Sequence, residues 1–412
     1  MHMTAHFLKT KVGEMRMEKK RIVLGISGGI AAYKCAQLVR CFVKENIDVT
    51  CVMTESAKQF VTPMTLGILS KNPVYDDAAL ANEITRPLHI VLAQQYDAIV
   101  VAPATGNIMA KAACGIADDL LSSVLLAAKV PVAFAPAMNE VMWTNPATQE
   151  NVAKLISRGH TMIGPADGDL ACGVMGTGRM CEPEEIFERT MQLLGKSGAA
   201  AGKRILVTAG PTREAIDPVR FISNRSSGKM GYAIARAAAR LGADVTLVTG
   251  PCAIEPPVGV RVLKVESTTQ MLDAALSVYD DIDIVFKAAA PADYTPTETY
   301  DQKLHKKDDL SIEMISTPDV LGTLGGKKTH QFLVGFAAGT YDCMEHALGK
   351  MERKNLDMMV LNDVTRPGAG FDVATNIVTV ITDEGACEWP MMSKDDVAER
   401  LVLQALEEAA KR

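Results

Sequence analysis

Twice along this chain a short apolar run enters a glycine turn, leaves it through a helical pattern and ends in a second apolar run. The first copy is KKRIVLGISGGIAAYKCAQLVRCFVKENIDVTCVMT, near residue 20. The second opens as GKRILVTAG near residue 202 and resumes after a loop as SSGKMGYAIARAAARLGADVTLVTG. A strand, a helix and a strand in succession predict a parallel pair joined by a crossover, and parallel sheets need both faces covered. The unbroken runs IVLGI, AIVVA, VAFAPA, ILVTA and TLVT, alternating with helical patterns, read as such buried strands. The expected fold class is α/β, with two Rossmann-like domains in tandem.

The 412 residues are enough for two separate cores. Residues 1–19 lack apolar periodicity and read as a disordered extension, followed by a first domain over 20–195. The small, Gly-rich stretch KSGAAAGK places a linker at 196–202, with the second domain over 203–412. Near its end NIVTVITDEGACEWP alternates around an EG turn, predicting a small antiparallel ribbon before a closing helix at about 394–410. In such folds ligands bind at the carboxyl ends of the strands.

A hydrophobic content of 48%, a charged content of 22% and a net charge of −6 give no pressure toward nucleic acid or an anionic membrane. The longest apolar run, VLLAAKVPVAFAPAM, is broken by Lys129 and two prolines, so no membrane span is expected. Nine cysteines, an odd number without C-x-x-C spacing, fit reduced thiols and a cytoplasmic location.

The turn GISGGIAAYK has glycines at 25, 28 and 29, which does not match G-x-G-x-x-G, and the next strand ends in VMTES without a ribose acid. A mononucleotide fits better, its phosphate held by backbone donors of Ser27 to Ile30 at a helix N-terminus. Three small, polar loops follow strands: APATGN at 102–107, APAMNEVMW at 135–143 and LACGVMGTGRM at 170–180, which sets Cys172 among glycines. His89 stands in the amphipathic pattern RPLHIVLAQQYDAIVV.

In the second half the loop from Gly210 to Gly228 carries Arg213, Arg220, Asn224 and Arg225, with Lys229 just beyond, a set suited to the phosphate of an acidic substrate. GKM stands where a P-loop has GK[ST], so this is not one. FKAAAPADY puts Asp293 at a strand end, where a carboxylate can hold a triphosphate through Mg²⁺. QKLHKK supplies Lys303, Lys306 and Lys307, and further on Lys350 and Lys354 lie one helical turn apart on one face.

The ordered set GISGGIAAYK, a helical histidine, APATGNIMAKAACGIADDLL, PAMN and ACGVMGTGRM resembles the flavin-containing cysteine decarboxylases over residues 20–190. The set TAGPTREAIDPVRFISNRSSGKMG, KAAAPADY, KLHKK and KNLDMMVLNDV resembles phosphopantothenate cysteine ligase over 202–410. Both in one chain resemble the bacterial bifunctional enzymes of coenzyme A biosynthesis. The resemblance implies an N-terminal flavoprotein decarboxylase domain binding FMN through Ser27, Gly28, Gly29, Thr54, Pro103, Thr105 and Asn107. It makes His89 the base near the substrate thiol and Cys172 the proton donor on a closing flap. Asn139 would bind the substrate carboxylate or its adjacent amide. Direct loss of carbon dioxide from a cysteine carboxylate leaves a carbanion without an electron sink. Oxidising the thiol to a thioaldehyde supplies one, and oxidised FMN can take and later return the hydride equivalent.

For the ligase domain the resemblance implies CTP rather than ATP, contacted by Ala289, Asp293, Lys303, Pro318, Asp319, Val320, Phe336, Lys350 and Lys354. Mg²⁺ would sit at Asp293 through the triphosphate. Arg220 and Asn224 would meet the substrate, 4'-phosphopantothenate. Its carboxylate would attack the nucleotide's α-phosphate with help from Lys303, giving an acyl-CMP that the cysteine amine opens while Asn224 orients the acyl group. One departure stands out: GFAAGT has Gly339 where the family commonly has Glu. A homo-oligomer is implied, a dodecamer built from decarboxylase trimers, with flavin sites between subunits, and ligase dimers. Two rivals share the fold: a tandem nicotinamide dehydrogenase, disfavoured by the missing G-x-G-x-x-G, and a flavin-binding regulatory module, disfavoured by His89, Asn139 and Cys172.

Overall fold

The computed structural model describes residues 19–80, 87–169, 175–195, 198–305, 310–339, 343–363, 373 and 375–412. The expected extension at 1–19 therefore lies outside the described residues except for Lys19. Two units divide between Thr190 and Met191.

In the first unit β1 (Arg21–Ile26), β2 (Asp48–Met53), β3 (Val74–Tyr75), β4 (Ala98–Ala104), β5 (Val132–Pro136) and β6 (Thr161–Met162) form one sheet in the order β3-β2-β1-β4-β5-β6. Every pairing is parallel. This is the doubly wound order, with its switch point between β1 and β4. The helices are α1 (Cys35–Lys44), α2 (Pro63–Ser70), α3 (Asp77–Leu80), α4 (Leu88–Gln94), α5 (Gly106–Cys114), α6 (Leu120–Leu126), α7 (Glu140–Thr144) and α8 (Pro146–Ser157). One core cluster joins Val23, Ile99, Val101 and Phe134 of the strands to Leu121 and Val124 of α6 and Leu155 of α8. An antiparallel hairpin of β7 (Ala166–Asp169) and β8 (Met175–Arg179) follows the sheet. α9 (Pro183–Gly195) then sets the Phe187 ring edge-on to Phe42 at 5.3 Å.

The second unit repeats the plan. Its strands and helices run β9 (Arg204–Ala209), β10 (Arg213–Ala215), β11 (Phe221–Ser223), α10 (Lys229–Arg240), β12 (Asp244–Thr249), β13 (Arg261–Lys264), α11 (Thr268–Tyr279) and β14 (Ile284–Lys287). They continue as β15 (Tyr294–Pro296), β16 (Met314–Ser316), α12 (Val320–Gly326), β17 (Phe332–Gly339), α13 (Cys343–Arg353) and β18 (Met358–Asp363). The last are β19 (Thr375–Asn376), β20 (Val378–Thr382), β21 (Gly385–Glu388), β22 (Met392–Ser393) and α14 (Lys394–Ala410). The main sheet has the order β13-β12-β9-β14-β17-β18-β20-β21.

The apolar run of β9 shows why no alternation was visible in the sequence. Ile205 and Val207 face one core cluster, shared with α10 and α14, while Leu206 faces the other, shared with α11 and α12. Successive side chains point to opposite faces, and both faces are covered. Within α14 Val397, Leu401 and Ala405 recur at four-residue spacing and are fully buried. Each buried Val or Leu of this kind contributes about 1.5–3 kcal/mol.

Two features differ from the expected pattern. The terminal ribbon is present as β20 and β21, but β20 also pairs antiparallel with β18, so the ribbon extends the main sheet. Val378 and Val380 are buried in the core cluster shared with α10 and α14, and Ile381 in the one shared with α11 and α12. Residues 198–202, expected to be linker, pack on the second unit: Ala200 is fully buried and its N–H donates to Leu241 O at 3.0 Å.

Candidate functional site

Each sheet carries a cavity at its switch point. In the first unit the chain leaving β1 meets the chain leaving β4, and Ser27 ties them together. Its buried hydroxyl donates to Pro103 O at 2.7 Å, lies 3.0 Å from Thr105 Oγ1 and accepts from Thr105 N at 3.1 Å. Beyond this knot opens a cavity of about 1110 Å³, lined by Ser27, Gly28, Gly29, Thr54, Thr105 and Asn107 among others. Of the residues expected around FMN, only Pro103 does not line it. Pro103 is buried behind Ser27 and serves through its carbonyl.

The hydroxyl of Thr54, in the cavity wall, is buried with no hydrogen-bond partner. A buried polar atom left unmade is costly, and a ligand's polar group is the simplest way to satisfy it. With the helical turn starting at Ile30 and a mostly apolar enclosure, this donor set fits a flavin mononucleotide.

Asn139 also lines the cavity. It caps α7, accepting from Val141 N at 2.9 Å. The glycine-rich strand β8 lies on this same loop, since Met138 N donates to Gly178 O at 2.9 Å. Gly178 has φ +147°, and a Cβ there would sit 2.3 Å from Met138 O, so no other residue fits. The glycines thus seat one strand of the hairpin against the Asn139 loop. Cys172 falls between the hairpin strands, outside the described residues. His89 is on α4, as the amphipathic pattern predicts, but this chain does not bring it into the cavity lining. Lys34 and Arg179 do line it. Both are held by Glu182, which Lys34 Nζ meets at 2.9 Å, and these bonds keep the Glu182 carboxyl below its ordinary range.

In the second unit a cavity of about 790 Å³ opens between the chain leaving β14 and the N-terminus of α10. Gly228 caps that helix with φ +75°, and a Cβ would meet Cys252 Sγ at 2.5 Å. Around the cavity stand Asn224, Ala289, Asp293, Pro318, Asp319, Val320, Phe336, Lys350 and Lys354. Lys354 Nζ pairs with Asp319 at 2.9 Å, Asp319 caps α12 through Gly322 N, and Lys350 Nζ donates to Phe336 O at 3.2 Å. Asn224 donates to Pro291 O at 2.8 Å, joining the long basic loop to the Asp293 loop. Among the described residues no group of three or more His, Cys, Asp or Glu could hold a metal. A divalent ion here would need ligand phosphates beside Asp293, which suits Mg²⁺.

Sequence reasoning missed Lys287, the last residue of β14. Its Nζ donates to Ala289 O at 3.0 Å inside this cavity. Burial first, then the charges of Lys350 and Lys354, push its ammonium down to about 7. Burial and Lys354 also push Lys350 down. An anion placed among these lysines would relieve that repulsion. The available signal was a lysine closing an apolar strand just before a small-residue loop.

Two expected residues lie elsewhere. Arg220 is absent from the cavity lining, with Nε donating to Asp217 Oδ2 at 2.8 Å. Lys303 is exposed and also outside the lining. Lys306 and Lys307 lie outside the described residues. Gly339 ends β17, in register with Asp363 of β18.

Two family models match the chain: Flavoprotein over residues 11–195, and DNA/pantothenate metabolism flavoprotein C-terminal domain over 200–408. The coenzyme A biosynthesis bifunctional protein CoaBC of Bacillus subtilis is 46% identical over 93% of this chain and 95% of its own length. The chain belongs to this family. The Vibrio cholerae CoaBC is likewise 46% identical, over 92% of this chain and 96% of its own. Among solved structures, the C-terminal domain of a CoaBC is 44% identical, covers 52% of this chain and 100% of its own, and superposes with a TM-score of 0.46. Family membership makes the first unit a flavoprotein domain. Among the described residues no helix is long and apolar enough to cross a membrane.

Proposed function

We propose that this cytoplasmic chain carries out two successive steps of coenzyme A biosynthesis. The second unit joins 4'-phosphopantothenate to cysteine at the expense of CTP, through an acyl-CMP and with Mg²⁺ at Asp293. The first unit decarboxylates the resulting phosphopantothenoylcysteine to 4'-phosphopantetheine with FMN. The observation that carries this reading is the pair of switch-point cavities, each lined by the motif residues of one activity.

When bound, FMN supplies reversible two-electron acceptance, which makes carbon dioxide loss feasible. The chain's own residues do the rest. Ser27 to Ile30 offer backbone donors to the flavin phosphate, and Thr54 Oγ1 offers a further polar contact. Asn139 orients the substrate carboxylate or its adjacent amide, and Cys172, by resemblance to the family, is the proton donor. His89, outside the lining of its own chain, serves as base in the site of a neighbouring copy. Exposed Ile30, Tyr33, Met64, Ile68 and Val141 on this unit support such association, with trimers and ligase dimers combining into a dodecamer.

In the second unit Lys287, Lys350 and Lys354 offset the triphosphate charge, Lys303 neutralises charge where the acyl-CMP forms, and Asn224 serves the acidic substrate. Purified protein given CTP, 4'-phosphopantothenate and cysteine, with products followed by mass, tests the reading. CMP, pyrophosphate, carbon dioxide and 4'-phosphopantetheine are expected from a yellow protein. Absence of CMP, or accumulation of the cysteine adduct by protein replete with FMN, would overturn the corresponding half.

A further inference from the structure

The buried carboxylate of Asp217 lines neither of the two cavities, yet five N–H groups converge on it. Oδ1 accepts from Val219 N and Arg220 N at 2.8 Å each, and Oδ2 accepts from Arg220 Nε at 2.8 Å, from Arg220 Nη2 and from Leu304 N at 3.2 Å. Its side chain is 0% exposed. Burial pushes the carboxyl up, but Arg220 and the three backbone N–H groups outweigh it and hold Asp217 well below the usual carboxylate range.

Leu304 lies far along the chain, and the pair grips it from both sides. Asp217 takes its N–H, while Arg220 Nη2 donates to its carbonyl at 2.8 Å. Two more bonds hold the approach to Leu304: Tyr300 N donates to Ile216 O at 3.0 Å, and Thr299 Oγ1 to Ala215 O at 3.3 Å. Between these anchors and Leu304 stands Lys303, the residue read as carrying charge for the chemistry, whose side chain is exposed. The β10–β11 hairpin supplies the rigid base of the grip, with Arg213 to Ala215 paired to Phe221 to Ser223.

We propose that Asp217 and Arg220 are positioning residues for the ligase, a clamp that fixes the backbone at Leu304 and so sets where Lys303 delivers its charge. The proposal rests on the reading of Lys303 given above. It assigns Arg220 a task different from contact with the substrate phosphate. The carboxylate is required because an asparagine would turn an NH₂ group toward N–H donors on one side or the other. An error of an ångström in such placement costs on the order of 100-fold in rate.

The test is a double-mutant cycle in the full chain, read as pyrophosphate release in single turnover without cysteine. Asp217→Asn should slow release by about 30-fold or more alone, yet by less than about 3-fold in a Lys303→Gln background, because a residue that acts through another costs nothing once that other is gone. Equal losses in the two backgrounds would overturn the clamp and leave Asp217 a general structural residue. If Lys303→Gln alone releases pyrophosphate at the normal rate, the reading of Lys303 fails and the clamp falls with it. Arg220→Gln covers the case in which Asp217→Asn does not fold, since the Oδ1 contacts to Val219 and Arg220 N–H remain. A fall in kcat with KM for 4'-phosphopantothenate unchanged supports positioning. A raised KM with kcat unchanged returns Arg220 to the substrate and overturns the proposal.

Discussion

Replacing Lys287 by methionine should remove a proton from the thermodynamics of nucleotide binding. In the unliganded site the ammonium is pushed down to about 7 by burial and by Lys350 and Lys354. A triphosphate placed among these lysines restores Lys287 toward its ordinary value of about 10.4. The linkage follows from those two values. Binding takes up about 0.5 proton at pH 7 and about 0.95 at pH 8.5, and this one group weakens CTP affinity by about 50-fold between pH 7 and 9 while leaving it nearly flat below 7. The sign for stability runs the same way. The folded value lies below the unfolded one, so between about 7 and 10.4 the unfolded chain binds more protons and the unliganded protein gains stability as pH rises. Below about 7 the cost of the buried charge is fully present. Calorimetric titration with CTP in buffers of differing ionisation enthalpy counts the protons directly. Lys350, shifted in the same direction, adds to the uptake of both proteins and largely cancels in the comparison. Uptake should be lower in Lys287→Met by about half a proton at pH 7 and nearly one at pH 8.5. Equal uptake in the two proteins would refute the placement of Lys287 among the phosphate-facing charges.

Thr54→Val deletes a buried hydroxyl that has no partner, so the flavin-free first unit should be no less stable, while FMN retention falls by about tenfold, the worth of one hydrogen bond. The absorbance of purified protein near the flavin band, with a fluorescence titration of FMN, checks both halves, and unchanged affinity would remove Thr54 from the site. Cys172→Ser should still release carbon dioxide but accumulate the ene-thiol, because the proton donor acts last; normal 4'-phosphopantetheine formation by mass would dismiss it. Asn224→Asp replaces the donor to Pro291 O by an acceptor and should let acyl-CMP build up with pyrophosphate still released, in contrast to Lys303→Gln, which should slow both to a small but measurable residual rate. Loss of pyrophosphate in both variants alike would erase the division of labour between the two residues.

The two sheets were legible because their strands are buried on both faces, and a continuous apolar run such as IVLGI has few other uses. The glycine turns marked the switch points for a similar reason: a chain passing from a strand to a helix beside another loop has no room for side chains. The pairing of β20 with β18 was not legible. Alternation in NIVTVIT shows that one strand face is buried, but not which distant strand lies beside it. The helix bearing His89 could be read from its period, whereas its distance from the cavity of its own chain could not.

Arg220 and Lys287 show where motif reasoning stops. Both are basic residues in motifs that suit an anionic ligand, and charge and spacing alone give them the same role. What separates them is a partner distant in structure rather than in charge pattern. Asp217 stands three residues before Arg220, and Leu304, from a segment more than eighty residues away, adds its N–H to the carboxylate and its carbonyl to the guanidinium. The guanidinium is thereby committed before any ligand arrives. Lys287 donates to a carbonyl, and burial and the like charges of Lys350 and Lys354 act on it more strongly than the carboxylates of Asp319 and Asp293, so its ammonium has much to gain from a phosphate. What a basic residue can offer a ligand depends on the partners the fold has already given it. That condition is set by tertiary contacts, which is why Lys287, unremarked in the sequence, faces the cavity while Arg220, prominent in its motif, holds the chain that carries Lys303.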